Sequence, residues 1–390
     1  VDHPEQRVAH GAVVRGALPG LGEHPVAQPR PPPLRGRRAG RLGGARACAL
    51  PLEPAEPAPP LTAEDIDFER FQTIHTFRLK EDLDAIKAGR QPTNLKTLVP
   101  MIIKNYGSLD HKFFFNQNIR STSDYIYKHA LNVAILCSMM SSHLHFDYEK
   151  KEAVVTAALL TQIGLLDVPN IIAEKSSSLY TSEDMRNIST HLTSGFQLFF
   201  PQSNPYDLPE RTMRILNQTT SFYYHPNNPL PVQTKWLPET KMIQVATQYD
   251  HLTSMHLDRE PFSEIAAFMY LSAHQNYYDK GMVSVLTDCI HIVPKGACVQ
   301  LSNGEKGMIV EANSKNIMAP IVLLFSNNKL YDLEQPATAR KMQIIDLMKT
   351  MDNRIHIDEE TLKHFKSDPL LQQTMELIRS KKKSKEFLYK

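Results

Sequence analysis

Two histidines sit in segments whose pattern is helical, His129 in YIYKHALNVAILCSMM and His191 in NISTHLTSG. A third, His225, falls in the loop sequence HPNNP, and an acid–imidazole pair, Asp250-His251, lies in MIQVATQYDHLTS. Imidazole nitrogens and carboxylates are the side chains that hold borderline metals, whereas hydroxyls and neutral amides bind them weakly. Between the first two histidines runs AVVTAALLTQIGLLDVP, a buried-helix pattern interrupted by the polar pair Thr161-Gln162 just ahead of Gly164. That pair either caps an ordinary helix or stands where a more reactive pair belongs.

The elements that must position these residues are mainly helices. Periodicity is helical from Asp124 to about Thr287, with loops at 174–181, 201–209 and 223–238. Upstream, Thr62-Ala-Glu-Asp65 has the form of a capping box, LKEDLDAIKA (79–88) reads as an amphipathic helix stopped by Gly89, and an apolar segment runs from Leu95 to Ile103. Downstream the texture changes. Cys298–Leu301, Gly307–Glu311 and Ile321–Phe325 are short β-rich runs, separated by turn signals at Asn303-Gly304 and Asn313. The expected organisation is a Pro/Arg/Gly-rich disordered extension over 1–60, an N-terminal helical region over 61–120, a helical bundle over 121–288, a small β module over 289–330 and a helical tail over 331–390.

The extension is distinct in composition: residues 1–60 contain no Lys, Ser, Thr, Asn, Ile, Phe, Tyr or Met, and Pro and Gly oppose both regular structures. The formal net charge of the chain is +2, so no global field argues for nucleic acid or an anionic membrane. No apolar stretch approaches the roughly 20 residues of a membrane span, and no secretory pattern is visible. The four cysteines lack paired short spacing, which fits a reducing compartment; the expected location is cytoplasmic.

The succession from His129 through ALLTQIGLLDVP, SLYTSEDM, NISTHLTSG, HPNNP, MIQVATQYDHLTS, REPF, YYDKGMVSVL and IVPKGACVQLSNGEKGMIV resembles the HD-GYP family over residues 121–325. Members of that family are bacterial phosphodiesterases that hydrolyse cyclic di-GMP. The resemblance implies an all-α, HD-superfamily helical bundle with a small C-terminal β module. It also implies two or three metal ions held by His, Asp and Glu from several helices.

Read position by position against the family, His129 and His191 are its remaining metal ligands, an insufficient set. Tyr125 replaces an acidic ligand, Thr161-Gln162 replace the His-Asp pair, and Leu165 replaces a lysine that contacts substrate phosphate. Thr219-Thr220 take the place of an adjacent histidine pair, and Thr247 that of the last aspartate. Scaffold positions match: Gly164, Pro169, Asp250, Leu252, Thr253, Arg259, Pro261 and Asp279, with Asp250 expected to cap or brace a helix end.

The expectation is therefore a chain that is not an enzyme, needs no cofactor, and has a regulatory or scaffolding role in cyclic di-GMP-type signalling through protein partners. A homodimer is a candidate assembly. One alternative is a receptor that binds cyclic di-GMP without cleaving it, with Arg259 on a phosphate. Another is an active phosphodiesterase whose Fe, Mn or Zn has moved to a different set, such as His129, His191 and His225.

Overall fold

The computed structural model describes residues 63–108, 111–115, 124–169, 172, 179–200, 204–223, 231–254, 261–348 and 373–378. The expected extension over 1–60, His225 and Arg259 lie outside the described residues. The fold class is the expected one, a helical bundle followed by a small antiparallel sheet.

Helix α1 (Ala63–Lys87) is one continuous helix where the sequence suggests a start at Thr62 and a separate segment at 79–88. Nothing between Ala63 and Lys87 is Gly or Pro, so no residue breaks it, and Gly89 ends it with φ of 70°. The buried Asp82 carboxylate then accepts from the backbone N–H groups of Thr93, Asn94 and Leu95 and so caps α2 (Leu95–Tyr106).

Helix α3 (Tyr125–His143) is the axis of the bundle. Fourteen of its nineteen residues are buried, which puts neighbours on nearly every side and makes it central rather than amphipathic. It packs against α1, α2, α4 (Tyr148–Leu160), α7 (Pro238–Thr253) and α9 (Lys280–Cys289). Asp147 caps α4 through Lys150 N–H, and the helix runs directly into a 3-10 turn at Ile163–Asp167.

Helix α5 (Ser182–Gln197) opens with a capping box in which Thr181 and Asp184 satisfy each other's backbone N–H, as the SLYTSEDM signal suggests. Gly164 of the 3-10 turn and Gly195 of α5 meet backbone to backbone. A Cβ on Gly164 would lie 2.7 Å from Leu192 Cα and 2.9 Å from the His191 carbonyl carbon. Glycine is required because no side chain fits between the two segments. The bundle is completed by α6 (Glu210–Tyr223) and α8 (Glu264–Ala273), and α9 is capped by Asp279, which also pairs with Lys241 at 3.1 Å.

The sheet has the order β4-β3-β2-β1-β5, all neighbours antiparallel: β1 (Cys298–Leu301), β2 (Lys306–Glu311), β3 (Ile321–Leu324), β4 (Leu330–Asp332) and β5 (Ile344–Leu347). The Asn303-Gly304 turn joins β1 to β2, with Gly304 at φ of 83°. The sheet passes residue 330 and uses part of what the sequence assigns to a helical tail. The correction has a physical cause: IIDL is too short to declare itself, and its pairing with β1 selects the strand.

Side chains of β1 to β3 divide between the two faces, and an irregularity in the β1–β5 pairing lets β5 turn both its ends to one face. Val299, Leu301, Ile309, Val322, Leu324, Ile344 and Leu347 join the core shared with the helices. Met308, Val310, Ile321 and Leu323 face the other way and are covered by Met375 and Ile378 of the helix at 373–378.

Candidate functional site

Helix α3 presents Tyr125, His129 and Asn132 at i, i+4 and i+7, a spacing that aligns them along one face. Opposite runs the C-terminal half of α7, carrying Thr247, Asp250, His251 and, just beyond, Ser254. Asp250 is fully buried, and its two oxygens divide between partners on α3. Oδ2 lies 2.6 Å from His129 Nδ1, and Oδ1 accepts from Asn132 Nδ2 at 2.9 Å. A carboxylate oxygen can only accept, so His129 presents an Nδ1–H to it. Nε2 is buried and has no hydrogen-bond partner among the described residues.

The network extends in both directions. Gln72 of α1 donates to Asn132 Oδ1 at 2.5 Å. Tyr125 stacks on His129 with ring centroids 5.7 Å apart and planes 8° from parallel. Its hydroxyl reaches His251 Nδ1 at 3.1 Å and Ser254 Oγ at 3.4 Å. Asp250 thus orients the histidine of α3.

The other positions of the expected site are placed differently. Thr161 is the C-cap of α4, and its hydroxyl donates to Ala158 O at 3.2 Å. Gln162 is buried at the head of the 3-10 turn, and Leu165 packs half-buried against the core. Thr219 and Thr220 turn their hydroxyls back onto the Leu216 and Asn217 carbonyls of α6, at 2.7 and 2.6 Å. Thr247 is half-buried on α7. His191 is half-buried on α5, with its backbone pressed onto Gly164, so it sits beside the turn that carries Thr161-Gln162.

A binuclear metal centre needs several anionic or imidazole donors at one point. Among the described residues, no three His, Cys, Asp or Glu side chains are gathered in a way that could hold a metal ion. One nitrogen of His129 is committed to Asp250, which leaves Nε2 as the nitrogen suited to a ligand role, while Tyr125, Thr161, Gln162 and Thr247 supply no equivalent donors. The described residues thus do not fit the cluster that the HD-GYP resemblance implies.

Residues 111–282 match the model of an HD domain family, described as HD domain, over less than half of the chain. By this match and the relative below, the chain is similar to HD-superfamily, HD-GYP-like proteins. A cyclic di-GMP phosphodiesterase of Pseudomonas aeruginosa is 22% identical over 269 residues, covering 66% of this chain and 58% of that protein. The chain thus spans less than two thirds of the relative's length.

That match corrects the expectation that the chain is not an enzyme: the aligned relative is a phosphodiesterase. No described helix is long and apolar enough to cross a membrane.

Gln72 and Asn132 carry no signal of their own in the sequence beyond being polar residues on otherwise apolar faces. A further buried amide, Gln244, lies one turn before Thr247 on α7, and neither its Oε1 nor its Nε2 has a hydrogen-bond partner among the described residues.

Proposed function

We propose that this chain is an HD-domain protein of cyclic di-GMP signalling, with a regulatory or scaffolding role exerted through dinucleotide binding and contacts with protein partners. The observation that carries this reading is the similarity of its HD domain and flanking segments to a cyclic di-GMP phosphodiesterase. Arg259 is the proposed phosphate contact, because a guanidinium fork matches phosphate oxygens in pairs.

A second reading, favoured by the relative's activity, is that the chain itself hydrolyses cyclic di-GMP. Isothermal titration of the full chain with cyclic di-GMP is expected to give saturable heat, lost in Arg259→Ala. The absence of heat at high micromolar dinucleotide removes the binding proposal. Chromatography of the same mixtures after prolonged incubation decides the second reading, because hydrolysis would appear as linear dinucleotide or mononucleotide.

A further inference from the structure

We infer that a side-chain network replaces a metal cluster as the fastening between α3 and α7, so that the bundle folds and holds without a bound metal. Three observations carry this inference. The α3 face that would present ligands is tied to α7 directly: Tyr125 to His251 and Ser254, and Asn132 and one nitrogen of His129 to Asp250. The ring at position 125 gives the side chain the reach to cross the gap, and its stacking on His129 holds both rings in place.

Charge supplies the second observation. Buried carboxylates brought close together without a cation repel one another and pay a large desolvation cost. Tyr125 and Thr247 stand where the resemblance implies acidic ligands, so two negative charges are absent from this crossing. Asp250 remains, and it is balanced by donors from His129 and Asn132 rather than by an ion. The third is the reach of the network: through Asn132 it continues to Gln72, tying α1 to the same point.

This fastening does not depend on whether the chain binds or cleaves a dinucleotide, so its test is separate from those above. The full-length chain is stripped with chelator and melted with and without added manganese, ferrous iron or zinc. A melting temperature that does not rise with any metal supports the inference. A saturable rise of several degrees that disappears in His129→Ala overturns it, as does stoichiometric metal in the purified protein.

Tyr125→Phe and His251→Ala then probe the direct contact. Each is expected to lower the melting temperature, and the double variant to fall little further than the worse single one. Fully additive losses would mean that the two side chains do not act on each other, and the network would be overturned even with no metal effect.

Discussion

Replacing Asp250 by alanine takes away the acceptor on which two buried donors of α3 depend. His129 Nδ1–H and Asn132 Nδ2–H lie 2.6 and 2.9 Å from its oxygens, and the three residues are 0%, 2% and 1% exposed, so water cannot take over without reorganising the helix crossing. Each stranded buried donor costs about 1–3 kcal/mol, and the substitution strands two of them. We therefore expect Asp250→Ala to lose about 2–6 kcal/mol of unfolding free energy. Asp250→Asn keeps one acceptor oxygen and is expected to lose roughly half as much.

Guanidinium unfolding followed by circular dichroism measures both, provided that the dependence on denaturant keeps its slope. A loss below about 1 kcal/mol for Asp250→Ala, the range of an ordinary surface change, would refute the reasoning. It would mean that His129 and Asn132 find other partners at no cost.

The close approach of the 3-10 turn to α5 gives a second prediction. Gly164→Ala drives a Cβ into the backbone of His191 and Leu192 and is expected to cost about 1–3 kcal/mol; a melting temperature equal to that of the parent would contradict it. His75 on α1 is buried, and burial, reinforced by Arg78, lowers its pKa below 6.5. The unfolded chain then binds the proton more readily, so this contribution to stability is complete above pH 6.5 and is lost as pH falls below it toward the lowered folded value. His75→Leu should flatten that acid-side slope in a pH series of denaturation curves, and an unchanged slope would count against it.

Burial also raises the thiol pKa of Cys137, of Cys289 to about 12 and of Cys298 to about 11. In a Cys48→Ser background, a thiol reagent at pH 8 should label none of the three until denaturant is added, and rapid labelling of the native protein would show that they are accessible.

Local chemistry made much of the fold legible. The capping box at Thr181, the Asp147 cap of α4, the Gly89 stop and the Asn303-Gly304 hairpin each depend on residues within a few positions of one another. The helical period of 124–287 and the three β-rich runs likewise need only their own pattern. The candidate site was legible in part: His129 stands out as an imidazole on an apolar helix, and Thr161-Gln162 as a polar break. What the substituted threonines do was not legible, because their hydroxyls satisfy carbonyls of their own helices, a choice that competes locally with any ligand role.

By itself, then, the sequence determined the helices, their caps, the first hairpin and the residue types at each position of the HD-like pattern. The tertiary structure alone decided which of those residues meet. His129 finds Asp250 across 121 positions, Asn132 finds the same carboxylate across 118, and Tyr125 finds His251 across 126. It likewise turned Ile344–Leu347 into an edge strand by supplying β1 as its partner. Propensity and capping act over one or two turns of chain, whereas a buried hydrogen bond forms only after packing has brought distant helices together and excluded the water that would compete for it.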